Sequence, residues 1–368
     1  MFRSSVEGSQ NIPSVFVEPC APADLLRSHL CLEIIVTVYL PIHEEFDCDK
    51  PIHGLLLGSL SKLIRQRKTW SPMLLPGVLW RSVSNIARHR QILEVLKYPE
   101  YAYLARSDPR FAFKYLTHGY LVKGFTVAER ATCFTHHYRW LHDNLPSEFL
   151  KQILQRAVPI VEIREGDQRF GIAFGFSRTH DKEGELSLNL EVNGETVFIL
   201  SFNIVPGNVV KSSAADVLLI TRMQGSKGCF RQISMATRAM RYVAPPALLM
   251  AALQGLGDAL GIRTVACISG KDQNSYCPER AALFRAAYDA FFIARGMTKN
   301  EANFFLSPIP MSEKPLGQIK RGHKLRAKRR REFKRLMVDA SRLSLLEKCH
   351  GHDWTPLQVR MDRIPRIA

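Results

Sequence analysis

The hydrophobic pattern begins with a helical part. Between residues 75 and 156, apolar side chains recur three or four positions apart, which predicts amphipathic helices. One helix should start at Thr126, because Thr126 and Glu129 have the spacing of a capping box. A shorter helix is predicted to follow, with Ser147 as its cap and an end near Gln155.

After Pro159 the pattern changes to alternating apolar and polar residues, which is the period of a β-strand. Phe170 to Phe176 and Leu186 to Val192 alternate in this way, and Asn193-Gly194 is a strong signal for a two-residue hairpin turn. We predict a meander of about five strands that ends with a strand from Asp216 to Arg222.

Helical patterns then return. Pro245-Pro246 should open a helix that Gly261 ends, and the apolar run from Arg263 to Ile268 is typical of a buried strand. A helix from Pro278 to Arg295 and a last strand at Asn303 to Leu306 should follow. The pattern therefore predicts an α+β protein, with a central mixed, mostly antiparallel sheet flanked by helices.

These elements divide the 368 residues into consecutive parts. The first part carries two further predictions, a strand at Leu32 to Ile42 and a basic helix at Leu55 to Arg67. The predicted parts are a variable N-terminal extension (1–74), a helical region (75–156), a sheet region (157–316), a basic helix (317–346) and a tail (347–368).

Positive charge is concentrated in the predicted basic helix. Ten Lys and Arg residues and one acid lie between Lys320 and Arg335, so this segment carries +9 of the formal net charge of +17. It would attract an anionic membrane surface, an acidic carrier protein or, non-specifically, nucleic acid. The alternative is a solvated helix face paired with acids elsewhere. The candidates for anionic-surface binding are Lys320, Arg321, Lys324, Arg326, Lys328, Arg329, Arg330 and Arg331.

Cysteine usage and hydropathy bear on the cellular location. The eight cysteines form no C-x-x-C pair, which favours a reduced protein without a disulfide framework. The N-terminus shows no signal-peptide pattern, and every apolar run is much shorter than the roughly 20 residues that span a bilayer. We expect a cytoplasmic protein without a transmembrane segment, either soluble or peripheral at the inner membrane.

The main candidate chemistry follows the predicted strand at Asp216. The strand leads into a loop with two glycines and a lysine, and then into helical sequence. Backbone N–H groups at such a loop and helix start can bind an anion, although the spacing fits neither a P-loop nor G-x-G-x-x-G. A simple turn is the alternative. The residues predicted to bind an anionic cofactor are Arg222, Gln224, Gly225, Ser226, Lys227 and Gly228.

Several separated motifs occur in a characteristic order along the chain. They are His137-Tyr138, Arg222-Met223-Gln224-Gly225, Ala236-Thr237, Pro245 with Leu248-Leu249, Tyr288-Asp289 with Phe291 and Phe292, and the basic segment after Ile309-Pro310. From Leu75 to Leu346 the chain thereby resembles the VirK/YbjX family of Gram-negative bacteria, although it has Phe where family members usually have tryptophan near the Tyr-Asp pair. The resemblance implies no reaction, but a role in virulence, in surface localisation of a virulence factor, or in resistance to antimicrobial peptides under envelope stress.

The order of meander, strand, loop, helix and strand is also similar to the fold of the GNAT acyltransferases, with Gln224 to Gly228 as the pyrophosphate-binding loop. The chain departs from that fold because over thirty residues, interrupted at Pro245-Pro246, separate the loop from the next strand. The similarity implies acyl transfer from an acyl-coenzyme A or acyl-carrier-protein donor.

Acyl transfer requires a base that takes a proton from the acceptor. His137, Glu191 and Asp289 are the catalytic candidates, beside His136 as an alternative to His137. A structural role is the alternative for each. Adjacent histidines on a helix point about 100° apart and cannot share a metal, so no metal site is predicted.

Arg222 has an alternative of its own, a salt bridge to an acid such as Asp289. Two functions stay open at this stage. One is a non-enzymatic accessory protein at the inner face of the envelope, and the other is an acyltransferase.

Overall fold

The computed structural model describes residues 80–349, except 82, 102–103, 105–108 and 178–180, together with residues 357–360. The predicted N-terminal extension, with its strand at Leu32 to Ile42 and its helix at Leu55 to Arg67, lies outside the described residues. Most of the predicted tail lies outside them as well.

The described residues form eight α-helices and nine strands. The helices are α1 (Ile86–Leu96), α2 (Val127–Asn144), α3 (Ser147–Gln155), α4 (Phe230–Ala239), α5 (Pro245–Ala259), α6 (Ala281–Phe284), α7 (Ala290–Ile293) and α8 (Lys324–Cys349). The strands are β1 (Val158–Glu165), β2 (Gln168–Phe176), β3 (Leu186–Val192), β4 (Glu195–Pro206), β5 (Asp216–Gly225), β6 (Thr264–Cys267), β7 (Thr298–Lys299), β8 (Phe305–Pro308) and β9 (Leu357–Arg360).

The strands of the described chain form one sheet in the order β7-β8-β6-β5-β4-β3-β2-β1-β9. Strands β1 to β5 are the predicted antiparallel meander, whereas the β5–β6 and β1–β9 pairs are parallel. Asn193 and Gly194 have φ angles of 53° and 88°, the left-handed backbone that a tight hairpin turn requires. The predicted α+β class with a mixed, mostly antiparallel sheet is confirmed.

Helices cover both faces of the central strands. Residues 202–205 of β4 and 217–221 of β5 are buried without interruption, and successive side chains of a strand point to opposite faces. Helix α2 packs against β4, while α5 packs against β3, β4 and β5 and carries α8 on its other side. A Cβ at Gly255 would lie 2.2 Å from the carbonyl oxygen of Val338, so glycine permits the close approach of α5 and α8.

Of the two predicted helix caps, the one at the start of α2 is present and the one at the start of α3 is not. The capping box of Thr126 and Glu129 is confirmed, since the Thr126 hydroxyl accepts from the Glu129 N–H at 3.2 Å and the Thr126 N–H donates to the Glu129 carboxylate at 2.8 Å. The predicted Ser147 cap is wrong. Pro146 occupies the cap position, and the Ser147 hydroxyl donates instead to Glu100 at 2.7 Å.

Tertiary pairing moves several predicted boundaries. Strand β5 continues to Gly225, because Met223, Gln224 and Gly225 pair with β4. The predicted helix from Pro278 to Arg295 is divided by a π-helical turn at Arg285–Asp289. Within the predicted tail, the described residues Leu357–Arg360 form β9, which pairs in parallel with β1.

Candidate functional site

The candidate site lies where β5 and β6 separate. The two parallel strands pair only along Leu218 to Ile220, because β6 ends at Cys267. Strand β5 continues to Gly225 and keeps its pairing with β4, in which Gly225 lies opposite Phe198. The last residues of β5 therefore have one edge without a strand neighbour in the described sheet.

A four-residue turn, Ser226 to Cys229, connects β5 to α4. The Ser226 N–H donates to the Val197 carbonyl at 2.9 Å and the Ser226 hydroxyl donates to the Thr196 carbonyl at 2.8 Å, which ties the turn to β4. Gly228 has a φ of 81°, a conformation that favours glycine. The predicted loop is thus shorter than expected, since Gln224 and Gly225 belong to the strand.

The turn presents the N-terminus of α4 to solvent. Cys229 is the cap residue, and no side chain caps the helix. The first turn contains no acid but includes the exposed Arg231, and Lys227 and Gly228 are exposed beside it. Uncapped N–H groups next to cationic side chains form a position at which an anion is stabilised.

Arg222 lies on β5 but is engaged by carboxylates. Its guanidinium lies 2.7 Å from the Asp181 carboxylate and 3.2 Å from that of Glu183, and its Nε donates to the Ser201 hydroxyl at 3.1 Å. The two carboxylates raise the pKa of Arg222 against the opposing effect of burial. The alternative interpretation of Arg222, a salt bridge to a nearby acid, agrees with the structure, in which the partners are Asp181 and Glu183 and not the Asp289 given as an example.

The segment that contains Asp181 and Glu183 also contains a buried carboxylate, Glu185, which the hydrophobic pattern of the sequence did not predict. Glu185 is fully buried and lies 2.8 Å from the Lys114 ammonium. Its carboxylate also accepts hydrogen bonds from the hydroxyls of Tyr120 at 2.6 Å and Tyr138 at 2.7 Å. This network joins the 3-10 helix Pro109–Leu116 and α2 to the start of β3. The alternation gave no signal for this burial, because Glu185 has the parity of the polar positions Ser187, Asn189 and Glu191.

Tyr288 and Asp289 hold the π-helical turn against the separating strands. The Tyr288 hydroxyl contacts the backbone N–H and carbonyl of Met223, at 3.3 and 3.2 Å. Asp289 accepts hydrogen bonds from the Ser269 hydroxyl at 2.9 Å and the Gly270 N–H at 3.2 Å, just beyond β6. Asp289, predicted as a base, therefore serves in this structure to fix the segment after β6.

His137 is a core residue and not an accessible base. It is fully buried on α2, and its Nδ1 accepts a hydrogen bond from the Ile204 N–H at 3.1 Å. Burial lowers its pKa to about 3. Ile204 lies six residues from Phe198 on β4, so His137 is about 20 Å along the strand from Gly225. The neighbour, His136, is half-buried and lies 2.8 Å from Asp216.

Glu191 lies at the same end of the sheet as the turn. It is half-buried on β3 opposite Thr196, whose carbonyl accepts the Ser226 hydroxyl. Two strand spacings place it about 10 Å from the β5 end. Burial raises the pKa of Glu191, with Arg169 opposing the shift. Of the three predicted bases, His137 is fully buried, whereas Glu191 and Asp289 are half-buried and Asp289 is engaged by Ser269 and Gly270.

The predicted basic helix is α8, preceded by 3-10 turns at Leu316–Gln318 and Arg321–His323. The first buried residue of α8 is Phe333, so the turns before it lie outside the core. Among the candidates, Lys320, Arg321, Lys324, Arg326 and Lys328 are exposed, whereas Arg329, Arg330 and Arg331 are half-buried. None of the described helices is sufficiently long and apolar to cross a membrane.

A family model described as a protein of unknown function, DUF535, matches residues 78–344. The match extends from just before α1 to Ser344 of α8, well over half of the chain. This chain belongs to the DUF535 family. The DUF535 range includes the β5 turn, the π-helical turn and the basic start of α8, and it agrees with the range of the family resemblance in the sequence. No curated protein and no solved structure matches the chain.

Proposed function

We propose that this DUF535 protein is a VirK/YbjX-like accessory protein at the inner face of a Gram-negative cell envelope. In this proposal it is a cytoplasmic, peripheral protein that docks on anionic lipid through the basic segment, defined here as residues 320–331. Antimicrobial-peptide resistance or localisation of a surface factor is the cellular role, as the family resemblance implies.

The observation that carries the proposal is the placement of positive charge at the positive end of a helix. An α-helix N-terminus favours acids and disfavours cations. Helix α8 has no acid in its first turn and carries Lys324 and Arg326 there. This arrangement is unfavourable in the free protein, and an anionic surface would relieve it by neutralising both the side chains and the helix end.

The ion pairs on α8 separate an anchored part from an available part. Arg331 lies 3.0 Å from the Glu313 carboxylate, and Lys334 pairs with the same residue, which fastens the helix to the segment before it. Lys320, Arg321, Lys324 and Arg326 are exposed and make no ion pair with another described residue. These four side chains are therefore the expected lipid contacts.

Vesicle sedimentation tests the proposal. The protein should bind vesicles that contain phosphatidylglycerol and not vesicles of phosphatidylcholine, with binding that weakens as salt increases. Each basic residue near an anionic surface contributes about 1 kcal/mol, so changing Lys320, Arg321, Lys324 and Arg326 to Gln should lower the partition coefficient by roughly a thousandfold.

The matched control removes the same charge from other exposed positions. It changes Arg90, Arg164, Arg238 and Lys271 to Gln, one position on each of four other elements. An equal loss in both variants would show that net charge alone governs binding and would contradict the proposal. If the protein binds duplex DNA more strongly than it binds charge-matched vesicles, the partner of the basic segment would be nucleic acid and not lipid.

The separating strands favour a second candidate, a GNAT-like acyltransferase. The parallel β5–β6 pair, the turn after β5 and the uncapped start of α4 occur in the order that the resemblance requires. In this candidate the α4 N-terminus, Ser226, Lys227 and Gly228 bind the phosphates of an acyl-coenzyme A or acyl-carrier-protein donor, and Glu191 is the base. Arg222 is the weakest part of the prediction, because Asp181 and Glu183 already occupy its guanidinium.

Thermal unfolding with coenzyme A, acyl-coenzyme A and acyl-carrier protein tests this candidate. A ligand at 100 times its Kd stabilises by about 2.7 kcal/mol, which is readily seen as a shift in Tm. Lys227→Glu with Arg231→Glu should abolish the shift. Arg238→Glu, in the last turn of the same helix, is the matched control and should retain it. The absence of a shift with every donor would reject the acyltransferase candidate.

A further inference from the structure

Three large apolar side chains are exposed beside cationic ones on elements that follow the sheet. Phe230 at the start of α4 is 54% exposed, Tyr242 between α4 and α5 is 50% exposed, and Leu325 in the first turn of α8 is 61% exposed. Arg231 follows Phe230 and Lys324 precedes Leu325, and both are exposed. One exposed apolar side chain is ordinary, so the position that the three share decides what they mean.

Helices α5 and α8 both begin at the end of the sheet where β5 ends. Strands β1, β3 and β5 run in one direction, because the meander is antiparallel. Helix α5 finishes near the start of β5, since a Cβ at Gly257 would lie 3.0 Å from the Leu218 side chain. Helix α8 finishes near the start of β1, since the Lys348 ammonium lies 5.7 Å from the ring centre of Phe149 on α3. The first turns of both helices therefore lie at the same end as the turn after β5.

The start of α8 projects past the start of α5. The two helices approach where Gly255 meets Val338. Pro245 precedes Gly255 by about 15 Å of helix, and Lys324 precedes Val338 by about 21 Å. The first turn of α8 is thus level with the α4–α5 connection that carries Tyr242.

The charge at this end is positive wherever the three apolar side chains occur. Residues 226–244 contain four Lys or Arg and no acid, and residues 320–331 contain eight and no acid. Acids at the same end, Glu165, Asp167 and Glu195, lie in the hairpins of the sheet, where Arg164 and Arg169 flank the first two. The surface around Phe230, Tyr242 and Leu325 therefore fits an anionic partner.

The backbone turns the Tyr242 ring outwards. Arg241 and Tyr242 have φ angles of 56° and 57°, a left-handed conformation that is rare for large side chains. The Tyr242 N–H donates to the Thr237 carbonyl at 2.8 Å, and the Arg241 side chain is buried while the tyrosine is exposed. Such conformations occur mainly where the surrounding structure or a function requires them.

The chemistry of the three side chains favours lipid over nucleic acid. Aromatic rings could stack on bases, but the aliphatic Leu325 has no face for stacking. A bilayer accepts both kinds of side chain, because apolar groups enter the acyl boundary while neighbouring cations remain among the anionic headgroups. A planar partner is also suited to side chains that come from three elements at one end of a protein.

We propose that this end of the molecule is a membrane-docking surface, in which Phe230, Tyr242 and Leu325 insert into an anionic bilayer. The inference rests on the lipid docking of the basic segment proposed above. It adds insertion to electrostatic attraction, and it adds α4 and the α4–α5 connection to the contact.

Vesicle sedimentation in low and high salt tests the insertion. Salt screens charges but not the burial of apolar surface, so the parent protein should keep measurable binding to phosphatidylglycerol vesicles in about 1 M NaCl. The variant with Phe230→Gln, Tyr242→Gln and Leu325→Gln should lose this salt-resistant binding. Its partition coefficient in low salt should fall by at least about tenfold, because the apolar contact is lost.

The matched control changes three exposed apolar residues away from this surface, Val83, Ile86 and Leu343, to Gln. Val83 and Ile86 lie with α1 against α2, and Leu343 lies in the second half of α8. The control should bind vesicles as the parent does. An equal loss in both triple variants would overturn the assigned surface.

The possible failures are distinguishable. Absence of binding by the parent protein would reject the proposed function together with this inference. Equal binding by the parent and the Phe230, Tyr242 and Leu325 variant, with loss in the variant that lacks four charges of the basic segment, would reject the insertion alone. Loss of single-stranded RNA binding without loss of vesicle binding would assign the surface to nucleic acid and overturn the inference.

Amide hydrogen exchange on the parent protein locates the contact without a substitution. Phosphatidylglycerol vesicles should slow exchange in residues 230–244 and 324–328, and should leave residues 83–90 and 340–346 unchanged. Slower exchange confined to the basic segment would show that α4 and the α4–α5 connection do not contact lipid, which would overturn the proposal.

Discussion

Tyr288 is joined to Met223 by two hydrogen bonds at the point where β6 no longer pairs with β5. The tyrosine hydroxyl lies 3.3 Å from the Met223 nitrogen and 3.2 Å from its carbonyl oxygen. A side chain from a π-helical turn thus satisfies backbone groups that a neighbouring strand would otherwise satisfy. The separation of the two strands is stabilised by this contact, and Tyr288 closes the edge of β5.

We expect Tyr288→Phe to destabilise the protein. The substitution leaves the buried Met223 backbone groups without this partner, and such a loss costs about 1–3 kcal/mol in the free energy of unfolding. Urea denaturation would measure the change, and amide hydrogen exchange should become faster at Met223. The control is Tyr276→Phe, because Tyr276 is half-buried and its ring makes an edge-to-face contact with Phe284. Unchanged exchange at Met223 in Tyr288→Phe would contradict the assigned role.

Arg222→Ala should destabilise the protein by roughly 2–4 kcal/mol at neutral pH, because it leaves two largely buried carboxylates without their cation. Burial raises the pKa of Glu183 and Arg222 opposes this shift, so the pKa of Glu183 should rise further in the variant. A raised carboxyl pKa in the folded state means that stability decreases as pH rises through it. The loss in the free energy of unfolding of Arg222→Ala relative to the parent protein should therefore be larger at about pH 7.5 than at about pH 5. Urea denaturation at both pH values would measure it.

Two further substitutions test whether the effect of Arg222→Ala arises from the guanidinium and its two carboxylate partners. Arg222→Lys keeps the charge but loses the guanidinium fork, so its loss of stability should be intermediate. Arg164→Ala breaks an exposed pair with Glu162 and should change stability by less than about 1 kcal/mol. A pH-independent deficit in Arg222→Ala would mean that lost packing, and not the unpaired carboxylates, is the cause.

His137 should make the protein sensitive to acid. Burial lowers the folded-state pKa of His137 to about 3 from its ordinary value of 6.5, so the unfolded chain binds more protons between these values. Stability contributed by this group is complete above the unfolded pKa and is lost as pH falls, by up to about 1.4 kcal/mol per pH unit. His137→Asn keeps an acceptor for the Ile204 N–H, and it should reduce the slope of unfolding free energy against pH.

Urea denaturation at several pH values between about 4.5 and 7 would measure this slope. His89, whose pKa burial lowers to about 4, remains in both proteins and cancels in the comparison. His323→Asn, at an exposed position in the turn before α8, is the control. Equal slopes in His137→Asn and the parent protein would exclude His137 as the source of acid sensitivity.

Stability and lipid binding should change in opposite directions at the start of α8. Lys324→Glu with Arg326→Glu places acids at the positive end of the helix, which should stabilise it by about 0.3–1 kcal/mol for each residue. The same variant should lose binding to phosphatidylglycerol vesicles. Arg335→Glu, in the middle of the helix, should leave Tm nearly unchanged because the end effect is confined to the first turn. A fall in Tm in the double variant would show that the basic start makes stabilising contacts within the protein.

Short-range patterns predicted much of the fold. The capping box at Thr126, the hairpin at Asn193-Gly194 and the end of α5 at Gly261 were predictable because each depends on a few neighbouring residues. The meander from β1 to β5 was predictable because alternation directly reflects burial of a face. The end of β5, by contrast, was misplaced, since only pairing with β4 keeps Gly225 in the strand.

The candidate site could be predicted only in part. The sequence indicated the turn after β5, but not that Arg222 would be neutralised by Asp181 and Glu183 from another segment. It named two adjacent histidines without separating them. The fold buries His137 against β4 and directs His136 towards Asp216, because neighbouring positions on a helix face different surroundings.

By itself the sequence determined the order and type of most elements, the position of the basic segment and the family resemblance, because these properties follow from local period, composition and motif. Only the tertiary structure decided where β5 and β6 separate, that Tyr288 closes the exposed edge, and that β9 joins the sheet beside β1. It also decided which charged side chains are neutralised. These features depend on contacts between residues far apart in the chain, whose free energies exceed local preferences and have no local signature.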